Sequence, residues 1–205
     1  MEKIFTELYQ GVKFGHTQTS RSFNYDQKLE LLNRWVYLFT ELGLAPLHSS
    51  GAYGNQSYRT SDSSFIITRS GMCPQNSFDV EDYVHIKGFN DSNGKFTTEG
   101  TADPSSESFL HYVLYKSKPH IHSIMHGHSS LLCSYAKHLK IPVTEHYHDY
   151  GTPELAEAAL QISEGPIDFF VLKDHGFVAL GKNIKTAGKM TLDYYRKLIT
   201  LLRNN

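Results

Sequence analysis

The chain has 205 residues and a formal net charge of −1, with 40% apolar and 20% charged residues. This length suits one domain with a full hydrophobic core, and the balanced charge argues against binding to nucleic acid or to an anionic membrane. The N-terminal residues lack the apolar core of a secretory signal, no stretch approaches the ~20 apolar residues of a membrane span, and Cys73 and Cys133 are the only cysteines. We therefore expect a cytoplasmic protein without a disulfide framework.

The sequence of the first half of the chain predicts an exposed polar loop, one helix and several strands. Residues 16–23 (HTQTSRSF) are polar and predict an exposed loop. Apolar residues at intervals of three and four predict a helix that is capped by Asn24 or Asp26, buries one face, runs to about Leu42 and ends at Gly43. Segments rich in β-branched and aromatic residues, with a hairpin turn at DSNG (91–94), then predict three strands: SSFIIT (63–68), DYVHIKGF (82–89) and GKFTT (94–98).

The second half of the chain alternates helices and strands. One helix is predicted from about Pro104 to Tyr115, with Glu107 in its first turn. Another begins at Thr152-Pro153, a cap followed by proline at the first helical position, and a last one covers about 184–202. The predicted strands are HIHSIMHGHS (120–129), DFFVLK (168–173) and FVAL (177–180). This order predicts a layered α/β fold with a largely antiparallel or mixed sheet.

Twelve histidines are the unusual feature of the composition, and three HxH pairs occur among them. Alternate residues of a strand point to the same face, so His126 and His128 project together, and Gly127 leaves the opposite face uncrowded. His120-x-His122 lies on the same predicted strand with the same parity, and the third pair, at 146 and 148, lies in a turn-like stretch. Spacing alone does not choose among these pairs.

Two more residues are candidate metal ligands. His175 lies in KDHGF, a turn directly after an apolar strand, where functional residues often occur. Glu107 offers a carboxylate near a helix start, where it also suits the helix dipole. A catalytic zinc ion takes three or more N, O or S donors and keeps one position open.

Three short segments combine glycines with hydroxyl or amide side chains: GNQS (54–57), SG (70–71) and SS (105–106). Each by itself predicts a turn or a helix cap. Glycines let backbone N–H groups approach a ligand, hydroxyls donate, and a helix N-terminus favours an anion, so that together the three segments suit a phosphate. The chain contains no Walker or Rossmann motif.

Taken in order, six motifs resemble those of the class II aldolase/adducin family over roughly residues 25–200. They are GNQSYR (54–59), FIITRSG (65–71), PSSE (104–107), MHGHS (125–129), YGTPELAEAAL (150–160) and VLKDHGFVALG (171–181). The resemblance implies a single domain over residues 1–205, with 1–24 as an N-terminal extension. It also implies a three-layer α/β/α sandwich around a mostly antiparallel sheet, and a homotetramer with active sites between subunits.

The metal ligands of the family match His126, His128, His175 and Glu107. The implied ion is zinc, and such a donor set also accepts Co²⁺, Mn²⁺ or Fe²⁺. The resemblance implies an aldolase that cleaves or forms a ketose phosphate through a metal-stabilised enediolate of dihydroxyacetone phosphate or a similar substrate. Glu107 is the implied catalytic residue, because it would carry a proton to or from the reacting carbon.

A phosphorylated sugar is the implied substrate, because all six phosphate-binding positions of the family keep small or hydroxyl residues or an amide. These positions are Gly54, Asn55, Ser70, Gly71, Ser105 and Ser106.

One departure from the family concerns the proton donor. The segment between the HxH strand and YGT is shorter than in aldolases of the family, so Tyr147 and Tyr150 are the candidates for the family's acidic tyrosine. The alternatives are a dehydratase, with Glu145 as its base, or a decarboxylase acting on a sugar or sugar-acid phosphate. A 4-epimerase is disfavoured because Glu107 stands where the epimerase has Asp, and a non-catalytic adducin-like module because the metal ligands are all retained.

Overall fold

An eight-stranded sheet forms the centre of the computed structural model, which describes residues 11–49 and 51–204. Two further short strands pair with each other outside this sheet. In chain order the strands are β1 (Gly15–Ser20), β2 (Leu47–His48), β3 (Gly51–Ala52), β4 (Gly54–Ser61), β5 (Ser64–Thr68), β6 (Tyr83–Asn90), β7 (Lys95–Glu99), β8 (Ser123–Gly127), β9 (Phe169–Leu172) and β10 (Gly176–Gly181).

The order across the large sheet is β1-β7-β6-β5-β4-β8-β10-β9. All neighbouring pairs are antiparallel except β1 and β7, which are parallel. The sheet is therefore mixed and mostly antiparallel. The predicted DSNG turn joins β6 to β7, and Gly94 adopts the left-handed conformation there, with φ +65°.

Helices cover both faces of the sheet, which confirms the predicted three-layer α/β/α sandwich. They are α1 (Lys28–Glu41), α2 (Ser108–Ser117), α3 (Ser130–Ser134), α4 (Pro153–Ile162) and α5 (Ile184–Arg203). Side chains of β5 alternate between the layers: Ile66 packs with α1, α3 and α5, whereas Phe65 and Ile67 pack with α2 and α4. No helix in the described residues is long and apolar enough to cross a membrane.

The predicted helix near residue 24 is α1, and its apolar stripe forms much of one core. Leu29, Leu32, Val36 and Phe39 are each at most 2% exposed. Burying an aliphatic or aromatic side chain of this size stabilises the fold by roughly 1.5–3 kcal/mol, so this face attaches α1 firmly to the sheet. The short helix α3 was not predicted from the sequence.

The prediction of an exposed loop at 16–23 is wrong for most of that segment, because Gly15–Ser20 forms strand β1 against β7. An edge strand has one neighbour and little apolar surface to bury, so a polar sequence can form it without the alternation that marks a half-buried strand. His16 contributes polar contacts, to Thr98 Oγ1 at 3.0 Å and to Asp103 Oδ1 at 3.0 Å. The single domain over residues 1–205 stays a prediction, and residues 1–10 lie outside the described part.

Three local predictions around the site are also corrected. The GNQS segment is not a turn: it begins β4, which lies between β5 and β8 in the middle of the sheet. Strand β8 begins only at Ser123, so His120 and His122 precede it and are exposed. Helix α2 begins at Ser108, which places Glu107 at the residue before the helix rather than in its first turn.

Candidate metal centre

Four buried side chains from different elements converge at one end of the central strands. Glu107 precedes α2, His126 lies on β8, His128 follows that strand, and His175 lies between β9 and β10. Their potential ligand atoms all lie within 4.8 Å of one another. These are the four residues that the sequence selected as metal ligands. The other two HxH pairs contribute no residue to this cluster.

The local backbone explains how these side chains meet. His126 and His128 point to one side because they are separated by one residue at the end of β8. The turn before β10 places Asp174 in the left-handed conformation, with φ +54°, a conformation in which Asp is enriched among non-glycine residues. This turn carries His175 back toward the histidines of β8.

The candidate ligand atoms lie close enough together to bind one metal ion. Glu107 Oε2 lies 3.0 Å from His126 Nε2, and Glu107 Oε1 lies 2.8 Å from His175 Nε2. His126 Nε2 and His128 Nε2 are 2.9 Å apart. Three imidazole nitrogens and one carboxylate form a donor set that suits zinc and other first-row divalent metals.

The hydrogen bonding of His126 supports a cation at this place. Its Nδ1 lies 2.8 Å from the carbonyl oxygen of Phe177, which only accepts hydrogen bonds, so Nδ1 carries the proton. In the neutral ring, Nε2 then presents a lone pair toward a carboxylate oxygen of Glu107 and toward the ring of His128. Such converging lone pairs repel one another unless a proton or metal ion lies between them. A hydrogen bond from Nδ1 to a backbone carbonyl is also the contact that commonly orients a metal-ligating histidine.

Burial and neighbouring charge both shift the pKa values in the cluster. Burial alone would raise the pKa of Glu107, but the opposing effects of His126 and His175 prevail and hold it well below its usual value. Burial, reinforced by His175 and His126, lowers the pKa of His128 well below its usual value. Glu107 is therefore a carboxylate and His128 a neutral imidazole at physiological pH, which are the forms that bind metal.

A pocket opens beside this cluster and contains all six predicted phosphate-binding residues. Ligand candidates Glu107, His128 and His175 line the same pocket. The backbone N–H groups of Ser70 and Ser105 donate to the carbonyl oxygens of Asp103 and Thr68, so these two N–H groups are committed to the fold. The phosphate-type residues on the pocket wall are Gly54, Asn55, Ser70, Gly71, Ser105 and Ser106.

Asn55 has a second contact that sequence reasoning missed. Its Nδ2 donates to Glu107 Oε2 at 2.6 Å, across 52 residues of sequence. Its Oδ1 is buried and has no hydrogen-bond partner among the described residues. Asn55 therefore holds the carboxylate of Glu107 in place and presents a buried acceptor at the junction of the metal cluster and the pocket.

Comparison with known proteins agrees with this geometry. A family model described as the Class II Aldolase and Adducin N-terminal domain matches residues 35–196, which is most of the chain. The chain belongs to this family. The resemblance inferred from the ordered motifs is thereby confirmed.

Alignments with individual relatives cover different fractions of this chain. The L-fuculose phosphate aldolase of Haemophilus influenzae is 30% identical over 165 residues, which are 72% of this chain and 69% of the relative. That of Methanococcus vannielii is 34% identical over 98 residues, 41% of this chain, so the match spans about half (52%) of that relative. A solved structure of L-fuculose 1-phosphate aldolase has a TM-score of 0.67 and 26% identity, and the match covers 88% of each chain.

Within this class II aldolase domain, the structure distinguishes the two candidate tyrosines. Tyr150 is 7% exposed and lines the pocket, and the ammonium group of Lys13 lies 3.8 Å from the centre of its ring. Tyr147 is 45% exposed and is not among the described residues that line the pocket. Of the two candidates, Tyr150 is therefore the one that faces the site. Four further lining residues were not predicted from the sequence: His48, Ala52, Tyr53 and Arg69.

Gly127 is required by close packing, which corrects the expectation of an uncrowded face. A Cβ atom at this position would clash with the carbonyl oxygen of Leu44 and would lie 2.7 Å from Cζ of Phe177. We expect Gly127→Ala to lower the free energy of unfolding by about 1–3 kcal/mol through overpacking, as measured by urea denaturation. Gly88→Ala is the matched control, because no atom lies within 4 Å of its Cβ. Equal denaturation midpoints for the two variants would contradict the packing argument.

Proposed function

We propose that this class II aldolase family member is a zinc-dependent lyase that cleaves a ketose 1-phosphate into dihydroxyacetone phosphate, or a similar fragment, and an aldehyde. The proposal rests on one juxtaposition: the cluster of one carboxylate and three imidazoles opens into a pocket lined by six residues that suit a phosphate. A substrate with its phosphate against these residues would place its adjacent carbon atoms beside Glu107. Similarity to fuculose phosphate aldolases supports the same substrate class.

When bound, a divalent metal would supply Lewis-acid stabilisation of the negative charge that carbon–carbon cleavage leaves on the substrate. His126, His128 and His175 would hold it, with Glu107 as the fourth ligand before substrate binds. The hydroxyl and amide side chains of the pocket wall would hold the substrate. Because the fold already orients these groups, they need to reorganise little when the reacting atoms are brought into place.

Glu107 would move the proton at carbon. In the cleavage direction, the hydroxyl of the leaving fragment loses its proton to solvent and becomes the aldehyde carbonyl, the bond between the two fragments breaks, and its electron pair stays with the phosphate-bearing fragment. That carbon would then gain a proton from Glu107, which the carboxylate has first taken up from solvent. In the synthetic direction Glu107, as a carboxylate, removes the same proton. The 2.6 Å hydrogen bond from Asn55 orients the carboxylate for both directions.

A retro-aldol assay tests this proposal. Purified protein is incubated with L-fuculose 1-phosphate and other ketose 1-phosphates, and dihydroxyacetone phosphate is measured before chelation, after chelation and after zinc is restored. We expect triose phosphate to form, the activity to be lost with the metal, and zinc to restore it, because the metal stabilises the developing charge. Full activity in metal-free protein would contradict this function.

The same assay separates the alternatives, since a dehydratase would release water and a decarboxylase carbon dioxide. The predicted dehydratase base, Glu145, has a side chain that is 88% exposed and does not line the pocket among the described residues. The 4-epimerase alternative requires Asp at the position of Glu107. A non-catalytic adducin-like module has no need for four buried metal-ligand side chains. The aldolase is therefore the proposal that the site favours.

The assembly and location follow from the family resemblance and belong to the same proposal. We propose a homotetramer with active sites between subunits, acting in the cytoplasm. The two cysteines are unpaired, as a reducing compartment permits.

A further inference from the structure

The pocket beside the metal cluster contains one side chain with a permanent positive charge. Among the described residues that line it, Arg69 is the only lysine or arginine. It lies directly before Ser70 and Gly71, between β5 and the loop that carries two of the phosphate-type residues. Glu107 adds a negative charge to the same wall, so Arg69 is the residue that makes this end of the pocket attractive to an anion.

The guanidinium group of Arg69 is held in a defined orientation. Its Nε donates to Asp82 Oδ1 at 2.9 Å, and its Nη1 donates to the carbonyl oxygens of Ser70 and Gly71, each at 3.3 Å. The side chains of Arg69 and Asp82 are 33% and 17% exposed. An arginine anchored in this way loses little additional conformational freedom when it binds a ligand.

One nitrogen of this group remains available. Nη2 of Arg69 has no protein partner within residues 11–49 and 51–204. Arg69 lines the pocket, its guanidinium is fixed by Nε and Nη1, and it keeps one nitrogen unused. Such a group suits a charge-assisted hydrogen bond to a phosphate oxygen. A phosphate monoester carries a charge of about −1.5 to −2 at pH 7, which hydroxyls and amides alone do not neutralise.

We propose that Arg69 is a specificity-determining residue that binds the phosphate of the substrate and selects phosphorylated over unphosphorylated sugars. The inference deepens the proposed function and rests on it for the identity of the substrate. Asp82 positions the guanidinium, and the hydrogen bonds to Ser70 and Gly71 couple it to the loop that forms the phosphate-side wall.

The test measures phosphate binding separately from turnover. Methyl phosphate, a phosphate monoester without a sugar, is titrated calorimetrically into the zinc-loaded wild-type protein, Arg69→Gln and Arg69→Lys. The matched control is Arg196→Gln, which removes the same charge from an exposed arginine of α5 that is paired with Asp193. We expect Arg69→Gln to bind methyl phosphate about 10- to 100-fold more weakly, the range for a lost hydrogen bond to a charged group, Arg69→Lys to be intermediate, and Arg196→Gln to match the wild type.

Steady-state kinetics give a second readout that a merely structural role would not reproduce. We expect Arg69→Gln to raise KM for a ketose 1-phosphate more than it lowers kcat, because the phosphate is bound equally in the ground and transition states. Circular dichroism and the thermal midpoint establish folding. If Arg69→Gln does not fold, the methyl phosphate affinity of Arg69→Lys tests the proposal, because lysine keeps the positive charge but not the planar donor geometry. Affinity below that of the wild type would then support the role of Arg69.

The outcomes separate the two proposals. Weaker methyl phosphate binding by the folded variant supports the role of Arg69 even if no ketose phosphate is cleaved, in which case only the proposed function fails. Equal affinities of wild type and a folded Arg69 variant, or no binding by the wild type, overturn the inference even if the protein is an active aldolase.

Discussion

Replacing His126 by alanine is expected to abolish both metal binding and lyase activity. The ring of His126 is fully buried, and its Nε2 lies within 3.0 Å of both Glu107 and His128, so it lies at the centre of the cluster. Its Nδ1 donates to the carbonyl oxygen of Phe177, which fixes the orientation of the ring. Loss of one of four ligands leaves a site that holds metal weakly. Metal content after dialysis, measured by mass spectrometry, and the triose phosphate assay check this result.

His120→Ala is the control for His126→Ala. His120 belongs to a neighbouring HxH pair but is exposed and lies before β8. We expect this variant to retain one equivalent of metal and wild-type activity. A His126→Ala protein that keeps one equivalent of metal and an unchanged kcat would show that the cluster is not the metal site.

Replacing Glu107 by glutamine is expected to lower kcat by about 10²- to 10⁴-fold, the usual contribution of a positioned general acid or base. The amide has nearly the same shape but cannot accept the proton, and it removes the negative charge that balances a bound cation. In the synthetic direction, where the carboxylate is the acting form, the lowered pKa of Glu107 makes this loss independent of pH over the physiological range, because the wild-type group is already ionised there. The measurement is the pH profile of kcat for wild type and variant.

Glu157→Gln is the matched control for this change, because Glu157 is an exposed carboxylate on α4 whose side chain accepts a hydrogen bond from Gln161. Its kcat should equal that of the wild type. If Glu107→Gln turns over at the wild-type rate while retaining metal, proton transfer at carbon belongs to another residue, and Tyr150 on the pocket wall becomes the candidate.

The elements that bury apolar residues with a clear period were predictable from the sequence. Helix α1 shows this best, because its buried stripe recurs at three and four residues, and the cap of α4 at Thr152 accepts its hydrogen bond from Leu155 N at 3.3 Å as the motif implies. Strand β1 was not predictable by the same logic. Its residues are polar, and its partner β7 lies about 80 residues later, so its conformation depends on a tertiary contact.

The site was predictable only in part, for a related reason. The local HxH spacing occurs three times, and the family motifs, rather than spacing, selected His126 and His128. The contacts that complete the site are non-local: Asn55 donates to Glu107, 52 residues later in the sequence, and Arg69 is oriented by Asp82. A single sequence carries no signal for such pairs, because hydrogen-bond partners separated by many residues leave no periodic pattern.

The two edges of the large sheet differ in a way that bears on aggregation. The outermost strand on one side, β1, has the sequence GHTQTS, which offers almost no apolar side chains for stacking against another molecule. The opposite outermost strand, β9, is FFVL, a strongly apolar segment. The segment around residues 142–144 covers the outer side of β9 with two backbone hydrogen bonds. Thr144 N donates to Val171 O at 2.9 Å, and Val171 N donates to Pro142 O at 2.8 Å. The segment most able to recruit strands from other copies is thus the one that the fold shields.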